Sequence, residues 1–312
     1  MPPTIDAVVP AYNHWDLTES CLRHLAAQTT TGHRVIVVDN GSTDGTRERL
    51  RRDWPAVTVV ALDHNHPFTE AVNRGVAAGE GEIVVILNND VDLRPDCLAL
   101  LAAALERSPS AGSAAALLLQ PGEERIDSIG ITVDPTLAAF PRLQGLPARA
   151  AAAPRPLLAG PEGTTAAYRR AAWEQAGGFD ERISAYMEIV DLALRLQSAG
   201  WSTVAVPEAA GVHLGSATFG RASAMQRRLA GFSRGYLLRR YGVLRGAHAP
   251  RALATEALVV AADAVIHRDA AAVRGRVEGW RAGRGLARHP PPPAAAIDET
   301  ITLRASLALR RR

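Results

Sequence analysis

Apolar positions along residues 5–206 fall into two alternating rhythms. Short runs at 5–9 (Ile-Asp-Ala-Val-Val), 34–38, 57–61, 82–87 and 114–119 read as strands, and the unbroken run 82–87 reads as a buried one. Residues 16–28, 43–52, 69–78 and 96–107 read as helices, the second opening after Ser42. Strands that alternate with helices pair in parallel through right-handed crossovers. The expected class is therefore α/β, a Rossmann-like, mostly parallel central sheet flanked by helices. The Pro- and Gly-interrupted stretch 120–160 reads as substrate-facing loops with short strands around 128–133. A helix at 169–176, the segment Gly177–Asp180, a helix at 187–199 and a strand at 202–206 complete the unit.

Past residue 220 the pattern changes. Met225, Leu229, Phe232 and Tyr236 recur at helical spacing while Arg227, Arg228, Arg234, Arg239 and Arg240 lie largely off that stripe, which predicts a basic amphipathic helix. Further helices are expected at 251–267 and 270–282, before the stiff Pro290–Pro293 run. Residues 294–312 read as a weak element or a disordered basic tail. Three segments follow: a main domain at 1–220, a basic helical extension at 221–289, and a Pro-rich, basic tail at 290–312.

Composition narrows the class. With 312 residues, 47% of them hydrophobic and 21% charged, the chain can bury a sizeable core, which excludes a disordered chain or a disulfide miniprotein. All 35 basic residues are Arg, a bias that carries no chemistry. The net charge of +3 hides an asymmetry: residues 221–312 hold 18 Arg against 6 acids, and residues 1–220 hold 17 Arg against 26 acids. The extension is thus the part that seeks a partner, and an anionic membrane leaflet and a simple covering role for its helix are both open. Nucleic acid is not expected, since no aromatic platform, zinc spacing or helix-turn-helix pattern accompanies the arginines. Cys21 and Cys97 suggest neither a disulfide framework nor a metal site, so a reducing, cytoplasmic setting is expected. The longest apolar candidate, Ala257–Ile266, is broken by Asp263 and falls short of the ~20 residues that span a bilayer. Contact with a membrane would be peripheral.

Ligands of such sheets lie beyond the carboxyl ends of the strands. Those positions hold Pro10-Ala11-Tyr12-Asn13, Asp39-Asn40-Gly41-Ser42 and Asn88-Asn89-Asp90. Four blocks then stand out in order: Val37-Val38-Asp39-Asn40-Gly41-Ser42-Thr43-Asp44-Gly45-Thr46, Asn65 to Gly75, Leu87-Asn88-Asn89-Asp90-Val91-Asp92, and Gly177-Gly178-Phe179-Asp180-Glu181 followed by Tyr186-Met187-Glu188-Ile189-Val190-Asp191-Leu192. Each alone has a plain structural account. Ser42, Thr43 and Asp44 are good caps; Asn65 to Gly75 suits an amphipathic helix; acids at a strand end are often turn residues. The last block suits a helix with Ile189, Leu192, Leu194 and Leu196 toward the core and an outer Asp191–Arg195 pair. A lone His213 is commonly structural.

Taken together, the blocks resemble the inverting family 2 glycosyltransferases of the GT-A fold, in their rhamnosyltransferase-like branch, which extends lipid-linked cell-envelope glycans. The resemblance implies sugar transfer, with inversion and without a covalent intermediate, from a nucleotide-diphosphate sugar to a hydroxyl of a lipid-linked or small-molecule acceptor. It implies donor contacts from Pro10, Tyr12, Asn13, Asp39, Asn40, Ser42, Asn65, Asn73, Arg74, Asn88 and Asn89. Asp90, with Asp92 and His213, would hold a divalent Mg2+ or Mn2+ that neutralises the departing diphosphate. Gly178, Phe179, Asp180 and Tyr186 would face the acceptor, and Glu188 and Asp191 would activate it. Two positions depart from the pattern. Pro67 replaces the usual Gly, and Ile189 stands where the family places the Asp most often assigned as base. An Ile cannot take a proton. Glu188 has therefore assumed that duty, another carboxylate reaches the acceptor, or the chain is a catalytically impaired nucleotide-sugar binder or scaffold. A nucleotidyltransferase is disfavoured by the Gly-Gly-Phe-Asp-Glu block.

Overall fold

The computed structural model describes residues 3–215 and 223–310, so the boundary expected at 220 and Ser216 lie outside the described residues. The first part alternates as expected: β1 (Ile5–Ala11), α1 (Trp15–Ala26), β2 (His33–Asp39), α2 (Thr46–Asp53), β3 (Thr58–Ala61), α3 (Phe68–Ala77) and β4 (Ile83–Leu87). Then come β5 (Val91–Leu93), α4 (Cys97–Arg107), β6 (Ala111–Leu119), β7 (Ile126–Ser128), β8 (Ile131–Val133), β9 (Ala139–Pro141), β10 (Thr165–Arg169), α5 (Arg170–Ala176), α6 (Glu188–Ser198) and β11 (Ser202–His213).

The central sheet runs β3-β2-β1-β4-β10-β6-β11-β5, with β7 beside β6. Pairing is parallel from β3 to β4 and antiparallel around β10. The side-chain period of two sorts β1 between two cores. Ile5, Ala7 and Val9 pack with Leu22 and Leu25 of α1 and Leu98 of α4, whereas Val8 packs with Val72 and Val76 of α3. β10, absent from the sequence reading, inserts between β4 and β6. Its Thr-Ala-Ala-Tyr-Arg has no apolar run to announce it, and cross-strand partners supply its burial. The strand expected at 202–206 continues to His213 through a bulge after Val206, where Pro207 interrupts the ladder with β6. That extension brings His213 opposite Val91 of β5.

The C-terminal part consists of α7 (Ala224–Arg240), α8 (Ala249–His267), α9 (Ala271–Ala282) and α10 (Leu303–Leu309). It corrects one expectation and decides between the alternatives of another. First, α7 is not divided into a basic and an apolar side: Met225 is 55% exposed, Tyr236 is fully buried, and Arg234 is only 4% exposed. Arg234 and Arg276 grip Glu256 of α8 at 2.7 and 2.6 Å. Against the cost of burial, those guanidiniums hold the Glu256 carboxyl down at about 2. Second, of the two forms open for the tail, a weak element or disorder, the described residues take the first: α10 forms and the segment folds back onto the main domain. The Asp298 carboxylate accepts from Leu157 N at 2.7 Å, and Ser306 donates to buried Asp134 at 2.7 Å.

α7 and α9 meet through glycines. β-Carbons at Gly235 and Gly279 would overlap the carbonyls of Arg276 and Phe232, so these backbones touch only because neither position has a side chain. Gly279→Val should force the helices apart and cost about 2–3 kcal/mol, read as a lowered Tm. Gly283→Ala, which would meet mainly the flexible Arg239 side chain at 3.1 Å, should change Tm far less.

Candidate active site

The carboxyl ends of β1 and β2 form the first wall. Asn13 and His14 both adopt left-handed backbone (φ 55° each), turning the chain sharply into α1. Asn13 N donates to Ser42 Oγ at 2.9 Å and its side-chain oxygen accepts from Thr43 N at 2.8 Å, so the two loops are laced together. Asp44 accepts from Trp15 N at 3.2 Å and from Thr46 N at 3.1 Å, capping α1 and α2 at once. A polar cleft of about 560 Å³ opens here, lined by Asn13, His14, Trp15, Asp16, Thr43, Asp44 and Arg49.

Behind the cleft Asp39 is wholly buried. Its carboxylate accepts from Ser42 N at 3.0 Å and pairs with Arg47 at 2.5 Å. Asn40 clasps the next loop, donating to Asn65 Oδ1 (3.0 Å) and His66 O (2.9 Å) and accepting from His66 N (2.9 Å). Gly41 (φ 78°) lets that loop approach, because a β-carbon there would overlap the His64 backbone. Tyr12 and Pro10 are half-buried at the same strand end. Asn73 does not point to this wall: its carboxamide accepts from Phe179 N and donates to Phe179 O and Glu181, each at 3.0 Å. Arg74 is half exposed and paired with Glu70 at 2.5 Å.

The second wall follows β4. Asp90 is 5% exposed and lies 3.3 Å from His213 Nε2, whose Nδ1 is 2.8 Å from Asp127. Burial opposes a charge on His213, yet hydrogen bonds to Asp127 and Asp90 push it up to about 10. The imidazole thus bridges two carboxylates, Asp90 on Nε2 and Asp127 on Nδ1. Asp90 and the Nε2 edge of His213 put an oxygen and a nitrogen donor on the same side, which fits a divalent cation, while Asp127 holds the imidazole from its far edge. Asp127, on β7, was not singled out by sequence, since only the β6–β7 pairing carries it to His213. Asp92 turns toward α1, with Ser20 at 2.9 Å and His24 at 3.1 Å. Asn89 donates to Thr18 at 2.9 Å. Asn88 donates its N–H to Thr164 O at 3.0 Å, linking the strand end to the segment before β10. A further donor group the sequence reading passed over, Asp63, His64 and His66, has ligand atoms within 4.8 Å of one another on the loop after β3.

The third wall is the start of α6. Tyr186 and Met187 are both left-handed (φ 63° and 64°) and deliver Glu188 to the first helical position. Burial raises the Glu188 carboxyl from 4.5 to about 7, and its Oε2 has no hydrogen-bond partner among the described residues. Glu188 lies beside the segment that meets Asn88: a β-carbon on Gly163 would stand 3.7 Å from Glu188 Oε1 and 3.0 Å from Ile189 Cγ2. Ile189 packs between two core clusters, and Leu192, Leu194 and Leu196 face inward as expected.

The expected outer Asp191–Arg195 pair is instead interior. Asp191 has no exposed surface; Arg195 Nε donates to it at 2.8 Å and the Tyr241 hydroxyl at 3.0 Å. Arg195 also donates to Gly178 O at 2.7 Å and to Ala176 O. Phe179, expected toward an acceptor, sits 3% exposed between Trp173 and Phe68, since its ring has more to gain from that aromatic cluster than from solvent. Gly178 is likewise buried. Asp180 remains partly accessible and accepts from Tyr236 of α7 at 2.6 Å. Tyr186 is half-buried.

The family model described as Glycosyl transferase family 2 matches residues 6–176. The chain is 32% identical over 244 residues to the N-acetylglucosaminyl-diphospho-decaprenol L-rhamnosyltransferase of Mycobacterium tuberculosis, covering 71% of this chain and 79% of that one. It is 31% identical over 230 residues to the O-antigen biosynthesis protein RfbC of Myxococcus xanthus, covering 69% of this chain and 18% of that one. Among solved structures, the mannosyltransferase PcManGT from Pyrobaculum calidifontis, in complex with GDP-Man and Mn2+, aligns with a TM-score of 0.53 at 20% identity, over 100% of this chain and 81% of that one. GalNAc-T7 with UDP, GalNAc and Mn2+ aligns with a TM-score of 0.61 at 13% identity, over 81% and 51%. The shared architecture is the GT-A fold.

The His213 arrangement has a titration consequence. In metal-free protein the imidazole should stay protonated through pH 8, and its contribution to stability, complete below its ordinary 6.5, should be lost as pH rises through about 10. Asp127→Asn should bring the midpoint, followed by NMR of the ring protons, back down toward the ordinary value.

Proposed function

The chain belongs to glycosyl transferase family 2, and from that premise we propose that it moves a sugar from a nucleotide diphosphate to an acceptor hydroxyl, with Glu188 as the base. The glycosyltransferase activity itself follows from the family; the donor class, the inversion, the cation and the base are the proposal. The observation that carries it is Glu188, a buried carboxyl raised to about 7 with one unpartnered oxygen, standing beside the segment that closes on Asn88. A carboxyl so placed can exchange a proton near neutrality.

In this reading the nucleotide lies against the cleft of Asn13, Thr43 and Asp44. Asp39, Asn40 and Ser42 hold that wall rigid from behind, and Asn73 holds the acceptor-side turn. Asp90 and His213 are the residues that would hold a divalent cation, with Asp127 orienting the imidazole and Asp92 turned away toward α1. When bound, that cation supplies positive charge for the diphosphate leaving group. Glu188 takes the proton of the acceptor hydroxyl as its oxygen forms the new bond to the sugar's anomeric carbon. The bond to the diphosphate breaks on the opposite face, which inverts the configuration. Asp191 acts as a positioning residue, because Arg195 and Tyr241 occupy its carboxylate. The relative from M. tuberculosis acts on a decaprenol-linked substrate by its name, and a polyprenyl-linked glycan is the acceptor class proposed here.

The lodging of Ile189 between two core clusters favours a contrary reading, donor binding without transfer. Steady-state assays over a panel of uridine, thymidine and guanosine diphosphate sugars, with Mg2+ or Mn2+ and with chelator, separate the two. With Glu188 as base, turnover should rise through about pH 7, Glu188→Gln should lose about 10²–10⁴-fold in kcat, and Ile189→Asp should bring no gain. Transfer that survives Glu188→Gln, or appears only in Ile189→Asp, would overturn the assignment. Stability should move the other way. Ionising Glu188 opposes folding between its ordinary 4.5 and about 7, so the wild type should lose up to about 3 kcal/mol over that span. At pH 8 Glu188→Gln should melt higher than the wild type.

A further inference from the structure

Helix α8 is turned inside out. Its polar residues Thr255, Glu256 and Asp263 face the protein, Glu256 held by Arg234 and Arg276 and Asp263 by Arg227 at 2.9 Å. Its outward side carries Leu253 (56% exposed), Leu258 (53%) and Val265 (77%), interspersed only with alanines, and Ile266 (71%) is exposed in the last turn. A surface helix ordinarily does the reverse, and large side chains left in water along one face mark a surface that something else covers. Leu253 also shares the rim of a cavity of about 250 Å³ with Val277, Trp280 and Arg281. At 19 residues α8 is nearly long enough to span a bilayer, yet no helix among the described residues is long and apolar enough to cross one.

Charge identifies the occupant. Arg268, Arg274, Arg281 and Arg284, at the end of α8 and along and just beyond α9, are exposed, whereas the neighbouring acids Asp263, Asp269 and Glu278 are held by Arg227 or Arg228. The apolar face is thus edged by a net surplus of positive charge. A second copy of the chain placed on it would bring like arginines together. Anionic lipid headgroups would answer them, with the apolar side chains entering the boundary between headgroups and acyl chains. We infer that the outward face of α8, with the arginines of α9, docks the protein on an anionic lipid surface.

The docking face stands on its own geometry; what it serves rests on the transfer reading. α7 lies between this face and the acceptor side, donating from Ser233 to Ala185 O at 2.9 Å and from Tyr236 to Asp180. Helices pack about 8–10 Å apart. A docked extension would therefore hold the acceptor side roughly one helix layer from the headgroups, where a lipid-linked hydroxyl is found.

The test is co-sedimentation of the full chain with sucrose-loaded vesicles of phosphatidylcholine and phosphatidylglycerol at 3:1, and with phosphatidylcholine alone. Binding to the anionic vesicles should fall at least tenfold in Leu258→Asp and in Val265→Asp, and with rising salt. Both side chains are exposed, so Tm should hold, as should soluble-donor turnover. Charge reversal in Arg274→Glu and Arg281→Glu should weaken binding without affecting the melt. The inference is overturned if the wild type does not sediment, if the variants sediment equally, or if gel filtration shows a dimer that the same variants dissolve while vesicle binding is absent. A failure here leaves donor turnover untouched, so it is distinguishable from failure of the transfer reading.

Discussion

The interaction on which the rest depends is the ion pair of Asp191 and Arg195 within α6. Neither group would lie inside the protein alone, because a buried carboxylate without its cation costs several kcal/mol. Together they set three things. Arg195 also donates to the carbonyls of Ala176 and Gly178, which fixes the double-glycine turn after α5. That turn places Phe179 in the aromatic cluster and puts its backbone against Asn73 of α3. Asp191 in turn receives the hydroxyl of Tyr241, just past α7, so the C-terminal extension is fastened to the same pair. One buried charge pair thus joins α3, α5, α6 and the extension around the head of α6, where Glu188 stands.

Such fastening explains how the chain tolerates strain where it does. Among the described residues, two consecutive non-glycine residues in left-handed backbone occur twice, at Asn13–His14 and at Tyr186–Met187. Each such residue costs about 1–2 kcal/mol. Both pairs lie at the edges of the candidate site, one aiming the loop after β1 and the other delivering Glu188 to its buried position. Each is over-determined by neighbours: Asn13 by Ser42 and Thr43, and Tyr186–Met187 by α7, whose Ser233 binds Ala185. The N-terminus of α6 favours a carboxylate at Glu188, yet burial wins and leaves the group raised.

The sequence made the α/β alternation and the site blocks legible because both are local. Apolar runs mark strands that are buried on both faces, and polar residues after Val9, Val38 and Leu87 mark strand ends. Contacts made by pairing at long range were not legible. β10 has no apolar run and owes its place to β4 and β6. Asp127 becomes a neighbour of His213 only when β7 pairs with β6 and β11 runs past its bulge. Asn73 and Phe179 lie in recognisable blocks, but the direction of their side chains follows from a contact between α3 and the turn after α5, more than 100 positions apart. Asp298 returns from the far end of the chain to cap Leu157 for the same reason.

The extension shows how net charge and periodicity can each be right and still mislead about direction. Its arginine surplus is real, and α7 is a helix. Yet Arg227, Arg228 and Arg234 are consumed by acids on or beside α8 and α9. The glycines of α7 and α9 then draw the two helices so close that α7 becomes an interior element. Once those acids face inward, α8 has only its apolar side left to present, and the charge still exposed is that of arginines on and around α9. The surface that meets the outside is therefore set by which acids the arginines of α7 find, a pairing that no periodicity within α8 records.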